Sequence, residues 1–163
     1  MITLFRRRRE KKTDYQKRLA LVRAGIPRLV VRRFHNNTTV QVIAYAPAGD
    51  RTLVESTVRD LRRLGWSHHG GNTPSAYLVG YLTGTRAFAK GIKEVVLDLG
   101  VQRSVKGSSL YAAAYGVKEA GVNVPLGGDV VPPETRLKGE HIGQMRQSTI
   151  VHDVDVLRSK IAA

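Results

Sequence analysis

Between residues 73 and 91 the sequence reads TPSAYLVGYLTGTRAFAKG, a mostly apolar run with a start signal and a stop signal. A threonine followed by proline is typical of a helix start, and the final glycine is typical of a helix end, so we predict a helix over 74–90. Gly80 and Gly84 share one face of this helix. Because a glycine costs about 1 kcal/mol in a helix interior, the pair predicts close approach of a sheet or of another helix.

The elements that follow this helix alternate in type. Lys93–Asp98 reads KEVVLD and predicts a buried strand, and Ser108 to Ala120 predicts a helix. The sequence from Val122 to Pro125 predicts a further short strand. Helix–strand–helix–strand order favours helices packed against a sheet.

The elements that precede residue 73 predict the rest of the sheet. Val-, Leu- and Ile-rich segments at 28–34 and 39–46 flank a His-Asn-Asn-Thr turn and predict a β-hairpin. A third strand is predicted at 51–56, followed by a helix that begins at Thr57 and stops at Gly65. Together these elements predict an α/β fold with a mixed β-sheet and packed helices.

The two ends of the chain differ from this centre. Residues 1–12 have little apolar content and are expected to be disordered without a partner. Thr13 and Gln16 fit a capping box that opens a predicted helix over 14–24. We therefore expect a basic N-terminal extension with a short helix (1–26), an α/β core domain (27–125) and a C-terminal extension with weak helical patterns (126–163).

The charge of the chain indicates its class of partner. The sequence has 27 Lys and Arg against 13 Asp and Glu, which gives a net charge of +14. Residues 1–33 contain twelve of these cations and only two acids, whereas residues 120–163 are neutral. Such an excess points to a polyanion. The alternative interpretation is a solvated arm that only aids solubility.

Motifs of enzymes and of membrane or metal-binding proteins are missing from the sequence. It has no cysteine, no run approaching about 18 apolar residues and no apolar segment of a signal peptide. Dinucleotide and Walker fingerprints, a G-x-S-x-G elbow and an H-E-x-x-H motif are absent. We expect a soluble intracellular protein without catalytic residues, metal site, cofactor or membrane partner.

Three segments have the composition of phosphate-binding sites. The first is the arginine-rich arm at the N-terminus, since guanidinium forks bind phosphate oxygens with two hydrogen bonds. The second is the loop Gln102–Ser109, whose cations and hydroxyls precede a predicted helix N-terminus. The third is Gly70–Thr73, which precedes another helix. For the two loops, ordinary capping and turn chemistry is the alternative interpretation.

Taken together, several segments occur in the order found in a known family. They are Arg6–Leu19 (RRRREKKTDYQKRL), Pro27–Arg33 (PRLVVRR), Gly71–Gly80 (GNTPSAYLVG), Leu97–Gly100 (LDLG), Lys106–Ser109 (KGSS) and Gly139–Ile142 (GEHI). The chain resembles the archaeal form of the ribosomal large-subunit proteins that bind 5S rRNA, numbered eighteen in bacteria and five in eukaryotes. After Ile142 no family pattern is visible.

The resemblance implies a structural constituent of the large ribosomal subunit in the cytoplasm. It implies that the protein binds 5S rRNA and helps to attach it to the central protuberance. Its neighbours there would be large-subunit rRNA and ribosomal proteins, including the other 5S-binding protein. The implied RNA-binding residues are Arg6, Arg7, Arg8, Arg9, Lys11, Lys12, Lys17, Arg18, Arg28, Arg32, Arg33, Asn72, Thr73, Arg103, Lys106 and Ser108.

Two other functions remain open from the residues themselves. One is a general DNA- or RNA-binding module without 5S specificity, which has the same charge requirement. The other is a nucleotide- or phosphosugar-using enzyme built on the strand, loop and helix of 93–125.

Overall fold

The computed structural model describes residues 4–146 and 149–162, and its centre is a four-stranded sheet. The strands are β1 (Arg28–Arg33), β2 (Thr38–Ala44), β3 (Arg51–Thr57) and β4 (Val96–Asp98). Their order across the sheet is β3-β2-β1-β4. The pairs β1–β2 and β2–β3 are antiparallel, whereas β1 and β4 are parallel. This mixed sheet confirms the predicted fold class.

Eight α-helices lie within the described ranges. They are α1 (Arg6–Arg9), α2 (Tyr15–Arg23), α3 (Val58–Leu64), α4 (Thr73–Ala89), α5 (Ser109–Glu119), α6 (Glu134–Lys138), α7 (Glu140–Arg146) and α8 (Ile150–Ala162). None of the described helices is both long and apolar enough to cross a membrane.

The sheet has one apolar face and one more open face. Leu29 and Val31 of β1 pair with Val42 and Val40 of β2, and all four side chains are fully buried beneath α4 and α5. On the opposite face the alternate residues of β2, such as Gln41, are only half-buried. We call this second side the open face. The period-2 alternation of side chains along each strand produces this difference.

The two glycines of α4 lie where α5 crosses it, as their spacing predicts. A Cβ atom added to Gly80 would overlap the carbonyl oxygen of Ala113, and one added to Gly84 would lie 2.8 Å from the carbonyl oxygen of Val117. Gly116 of α5 is equally close to α4, because a Cβ atom added to it would overlap the carbonyl oxygen of Tyr77. Backbone therefore packs against backbone along this helix pair, and no larger residue fits at the contact.

Several element boundaries differ from the sequence-based predictions. Asn72, and not Thr73, caps α4, since its side-chain oxygen accepts a hydrogen bond from the N–H of Ser75 at 2.8 Å. Asp14, and not Thr13, caps α2 in the same way. In both cases the cap is the residue next to the predicted threonine, because its side-chain amide or carboxylate oxygen reaches the free N–H groups of the first turn.

The N-terminal helices lie at the surface. Helix α2 has no buried residue, and the side chain of Leu19, one of its apolar residues, is 52% exposed. The arm, for which disorder is predicted, contains the single helical turn of α1, and residues 1–3 lie outside the described residues. The rings of Phe5 and Tyr15 contact each other, with centroids 5.6 Å apart. This aromatic contact joins α1 to α2.

The strand predicted at 93–98 is shorter than its apolar pattern suggests. Only Val96–Asp98 pairs with β1, and Glu94 makes a single bridge to Asn123. The strand predicted at 122–125 is reduced to that bridge. Apolar composition marks these residues for burial, but burial alone does not supply a strand partner.

The C-terminal helices belong to the hydrophobic core. Ile150, Val154, Leu157 and Ile161 lie along one face of α8 and are all buried, and α8 packs against α4. The weak helical patterns predicted for the C-terminal extension, which cover 133–138 and 154–161, are confirmed by α6 and α8, whereas the sequence shows no such pattern for α7. The division of the chain at residues 26 and 125 stays a prediction.

Polar contacts fix α8 on the body at two points. His68 bonds the carboxylate of Asp153 at 2.7 Å, and this hydrogen bond lowers the pKa of Asp153. Tyr77 donates a hydrogen bond to Glu119 at 2.7 Å, and Arg158 of α8 bonds the same carboxylate. Burial is the main cause that raises the pKa of the Tyr77 hydroxyl, and the hydrogen bond to Glu119 raises it further. The residues after 149 are therefore anchored by charge as well as by apolar packing.

The glycine contact between α4 and α5 predicts that replacing a glycine within a helix by alanine lowers the stability of this protein, whereas such a change usually raises it. Gly80→Ala raises helix propensity by up to about 1 kcal/mol, but its methyl group meets the Ala113 backbone. We expect a net loss of stability of about 1–3 kcal/mol from overpacking, measured by urea unfolding. Gly128→Ala is the control, because a Cβ there meets nothing within 4 Å. Equal or greater stability of Gly80→Ala would contradict the packing.

Candidate nucleic-acid interface

A groove of about 880 Å³ runs between the N-terminal segment and the loop that follows β4. Cations from four separate parts of the chain line this groove, which we call the basic groove. They are Arg7, Lys12, Lys17, Arg18, Arg28, Arg32 and Arg103. The arm and the 102–109 loop, which the sequence marks as separate phosphate-binding candidates, thus contribute to one surface.

The floor of the basic groove is a buried ion-pair network centred on Asp98. This carboxylate is 7% exposed and accepts hydrogen bonds from Arg28 at 2.8 Å and from Arg32 at 3.3 Å. Asp50 accepts from Arg28 at 2.6 Å and from Arg18 at 2.8 Å. The network connects the turn before β3, the edge of α2, and strands β1 and β4.

Arg28 is the most deeply buried cation of the basic groove. Its side chain is only 5% exposed, and both ends of its guanidinium are occupied by Asp50 and Asp98. A guanidinium buried between two carboxylates cannot reach a phosphate without breaking those bonds. We therefore place Arg28 at the floor of the groove, where it positions its neighbours, and direct RNA contact by Arg28 stays a prediction.

Arg32 lies on the same strand but at the groove surface. Its side chain is 33% exposed, and its Nη1 donates to the backbone oxygens of Val31 and Asp98 at 2.8 Å each. Gly100 packs against this guanidinium with a φ of +60°, and a Cβ there would lie 2.7 Å from Nη2 of Arg32. The Arg32 side chain is thus held in one orientation, with part of it open to the groove.

Gln102 fastens the 102–109 loop to the end of β1. Its amide donates to the carbonyl of Arg33 at 2.7 Å and accepts from the N–H of Arg33 at 3.2 Å, as a neighbouring strand would. The Arg33 side chain donates to the carbonyl of Gly71 at 3.1 Å. These bonds place Arg103 at the groove, and they place Arg33, Arg103 and Ser108 around a second, smaller groove of about 340 Å³.

The arm carries more cations than it neutralises. Arg6 and Lys12 both pair with Glu10, at 2.9 and 2.8 Å, and their hydrogen bonds lower the pKa of that carboxyl. Within the described residues, Arg8, Arg9 and Lys11 make no ion pair. Arg7 donates to the hydroxyl of Thr13 at 2.9 Å, and Lys17 pairs loosely with Asp14 at 3.8 Å. The surplus charge is exposed and available to a polyanion.

The remaining predicted residues lie outside the basic groove. Asn72 uses its side chain as the α4 cap, and Thr73 is the first residue of that helix. Ser108 caps α5 by position, although its hydroxyl has no hydrogen-bond partner among the described residues. Lys106 pairs with Asp129 on the surface. The side chain of Asn72 is therefore used in capping, as the alternative interpretation expects, and of the other three only Ser108 lines the smaller groove.

Sequence reasoning missed the acids and the amide that organise the site, namely Asp50, Asp98 and Gln102. Asp98 carried a usable signal, since a carboxylate at the end of a strongly apolar strand has to be paired when it is buried. Gln102 and Asp50 carried none. The described residues contain no group of three or more histidine or carboxylate side chains that could hold a metal ion.

Comparison with known proteins gives a consistent family. A family model described as "Ribosomal large subunit proteins 60S L5, and 50S L18" matches residues 2–95. The large ribosomal subunit protein uL18 of Caldivirga maquilingensis is 52% identical over 141 residues, which cover 86% of this chain and 68% of that relative. The uL18 protein of Korarchaeum cryptofilum is 46% identical over 143 residues, covering 88% and 73%.

The buried network predicts the effect of removing its central charge. Asp98→Asn removes the charge of the buried carboxylate that pairs with Arg28, and we expect a loss of about 3 kcal/mol in the free energy of unfolding. Glu134→Gln is the control, because it breaks an exposed pair with Lys138 and is expected to leave the unfolding midpoint unchanged. Urea denaturation at neutral pH measures both. Similar midpoints for the two variants would show that the network does not stabilise the fold.

Proposed function

Since the chain belongs to the family of ribosomal large-subunit proteins L5 and L18, we propose that it binds 5S rRNA through the basic groove and helps to attach that RNA to the central protuberance. Family membership makes the chain a structural constituent of the large subunit of the cytoplasmic ribosome, with a structural and not a catalytic role.

One observation carries the proposal: the fold collects cations from distant parts of the sequence into one groove. Arg7 and Lys12 come from the arm, Arg18 from α2, Arg32 from β1 and Arg103 from the loop after β4. If the arm only aided solubility, its contribution to one groove with a cationic loop about 90 residues away would have no explanation. Converging guanidinium groups instead provide the geometry for successive phosphates of one RNA backbone.

A rigid cation in the basic groove is combined with adaptable cations on the adjoining arm. Arg32 is fixed by its bonds to Asp98 and to the β1 backbone, so little conformational entropy is lost when it contacts a phosphate. Arg8, Arg9 and Lys11 are exposed on the arm and can adjust to the RNA surface. The fixed residues set the register of the RNA, and the arm adds neutralising contacts around it.

The choice of 5S rRNA rests on the family resemblance of the segments that build the groove. The arginine-rich arm, the PRLVVRR strand and the LDLG turn all line it, and all three match the family pattern. The same resemblance supports large-subunit rRNA and the other 5S-binding ribosomal protein as neighbours. General nucleic-acid binding is the alternative, because non-specific affinity comes from the phosphate charge alone.

We expect a groove variant to weaken 5S rRNA binding and to lower its salt dependence. The variant combines Arg7→Gln, Lys12→Gln and Arg103→Gln. Each lost phosphate contact lowers the slope of log K against log salt by roughly 0.7–0.9, so the slope should fall by about two. Filter binding with transcribed 5S rRNA at several salt concentrations measures both quantities.

The matched control removes the same charge from the helix-covered side of the molecule. It combines Lys118→Gln, Arg136→Gln and Lys160→Gln, three exposed cations on α5, α6 and α8. Its affinity and slope should stay within twofold and about 0.5 of the wild type. Equal effects of the two variants would show that only net charge matters. Competition by a large excess of tRNA or duplex DNA would exclude 5S specificity.

A further inference from the structure

A second cationic surface lies on α3, outside the residues that the sequence and the family resemblance single out. Arg59, Arg62 and Arg63 are exposed, while Val58 and Leu61 of the same helix are buried against the core. Helical periodicity therefore turns three arginines outward within five residues. We call these three residues the arginine patch.

Two acids lie beside the arginine patch, Asp60 and Glu55, and Glu55 accepts a hydrogen bond from Gln41 at 3.1 Å. Asp60 accepts a hydrogen bond from the N–H of Thr57 at 3.0 Å and pairs with Arg86 at 3.5 Å. Its contact with Arg63 is loose, at 3.8 Å. Within the described residues, Arg59 and Arg62 make no ion pair. Three arginines beside these two acids, one of which also pairs with Arg86, leave the patch with an excess of positive charge.

A groove of about 630 Å³ adjoins the patch, and its other walls are polar. The turn between β1 and β2 contributes Asn36 and Asn37, and the sheet contributes Thr39 and Thr57. Amide and hydroxyl groups beside arginines are the groups that proteins use to contact phosphate and ribose. An apolar partner surface would find little here to bury.

The strand register connects this groove with the basic groove. Arg32 of β1 is paired with Thr39 of β2, and Thr39 is paired with Thr57 of β3. These three residues form one row across the open face, from the basic groove to the first turn of α3. With a spacing of 4.7–4.9 Å between strands, the row is roughly 10 Å long.

We propose that the RNA bound in the basic groove continues across this row and that its phosphate backbone contacts the arginine patch. The proposal rests on the function proposed above and extends the interface to the opposite edge of the sheet. Arg32 marks one end of the path, the hydroxyls of Thr39 and Thr57 mark its middle, and the patch marks its far end. If α3 were only a solvated helix face, its arginines would be equally exposed, but replacing them would not change the affinity for RNA.

The test uses the full chain and transcribed 5S rRNA. The variant combines Arg59→Gln, Arg62→Gln and Arg63→Gln, and glutamine keeps the helix propensity. We expect affinity to fall at least tenfold at low salt and the slope to fall by about two, for three lost contacts of roughly 0.7–0.9 each. The Lys118, Arg136 and Lys160 triple variant is the matched control for charge.

The outcomes separate the two proposals. If the wild type binds 5S rRNA and the groove variant is weakened but the patch variant is not, the patch has no RNA contact and only this inference fails. If the control and the patch variant lose equal affinity, the effect is one of net charge, and the inference fails as well. If the wild type does not bind 5S rRNA specifically, the proposed function itself fails.

A second variant tests the path between the two ends. Thr39→Glu places a negative charge in the middle of the row without removing a cation. We expect it to lower affinity by a factor of about ten, close to the effect of losing one or two phosphate contacts. Circular dichroism checks that the sheet is retained. A folded Thr39→Glu protein with wild-type affinity would show that the RNA does not cross the open face.

Discussion

The arrangement of the strands and loops around the basic groove depends on the hydrogen bonds that the carboxylate of Asp98 accepts. This carboxylate lies at the end of β4, binds Arg28 and Arg32 of β1, and accepts the N–H of Gly100 at the start of the following loop. A buried ion costs several kcal/mol unless its lone pairs are occupied. In Asp98 the lone pairs are occupied by these hydrogen bonds. The bonds fix the parallel strand pair, the groove floor and the loop that carries Arg103.

The sheet separates the two tasks of the molecule. On one face, Leu29, Val31, Val40 and Val42 are fully buried under α4 and α5, whose glycines allow the helix backbones to touch. The other face carries the arginines and hydroxyls that we propose for RNA contact. Because the helical side is closed by α8 as well, the RNA contacts that we propose lie on the open face and at its two edges.

Much of the site can be predicted from composition, but the role of each residue cannot. Arg28 and Arg32 lie on the same strand with the same parity, and nothing local distinguishes them. The difference comes from Asp50 and Asp98, which are 22 and 70 residues away from Arg28 in the sequence. They bury one guanidinium and leave the other at the surface. Likewise, Gln102 gives no local sign that it will serve as a strand partner for Arg33.

The sequence by itself determined the types of most elements between α2 and α6, the close contact implied by Gly80 and Gly84, and the concentration of positive charge at the N-terminus. These follow from periodicity, backbone freedom and charge, which act within one turn of helix or over a few residues. Tertiary structure alone decided which cations share a groove, which carboxylates neutralise them and how far β4 pairs. Such features require groups remote in sequence to meet, and only the packed sheet brings them within hydrogen-bond distance.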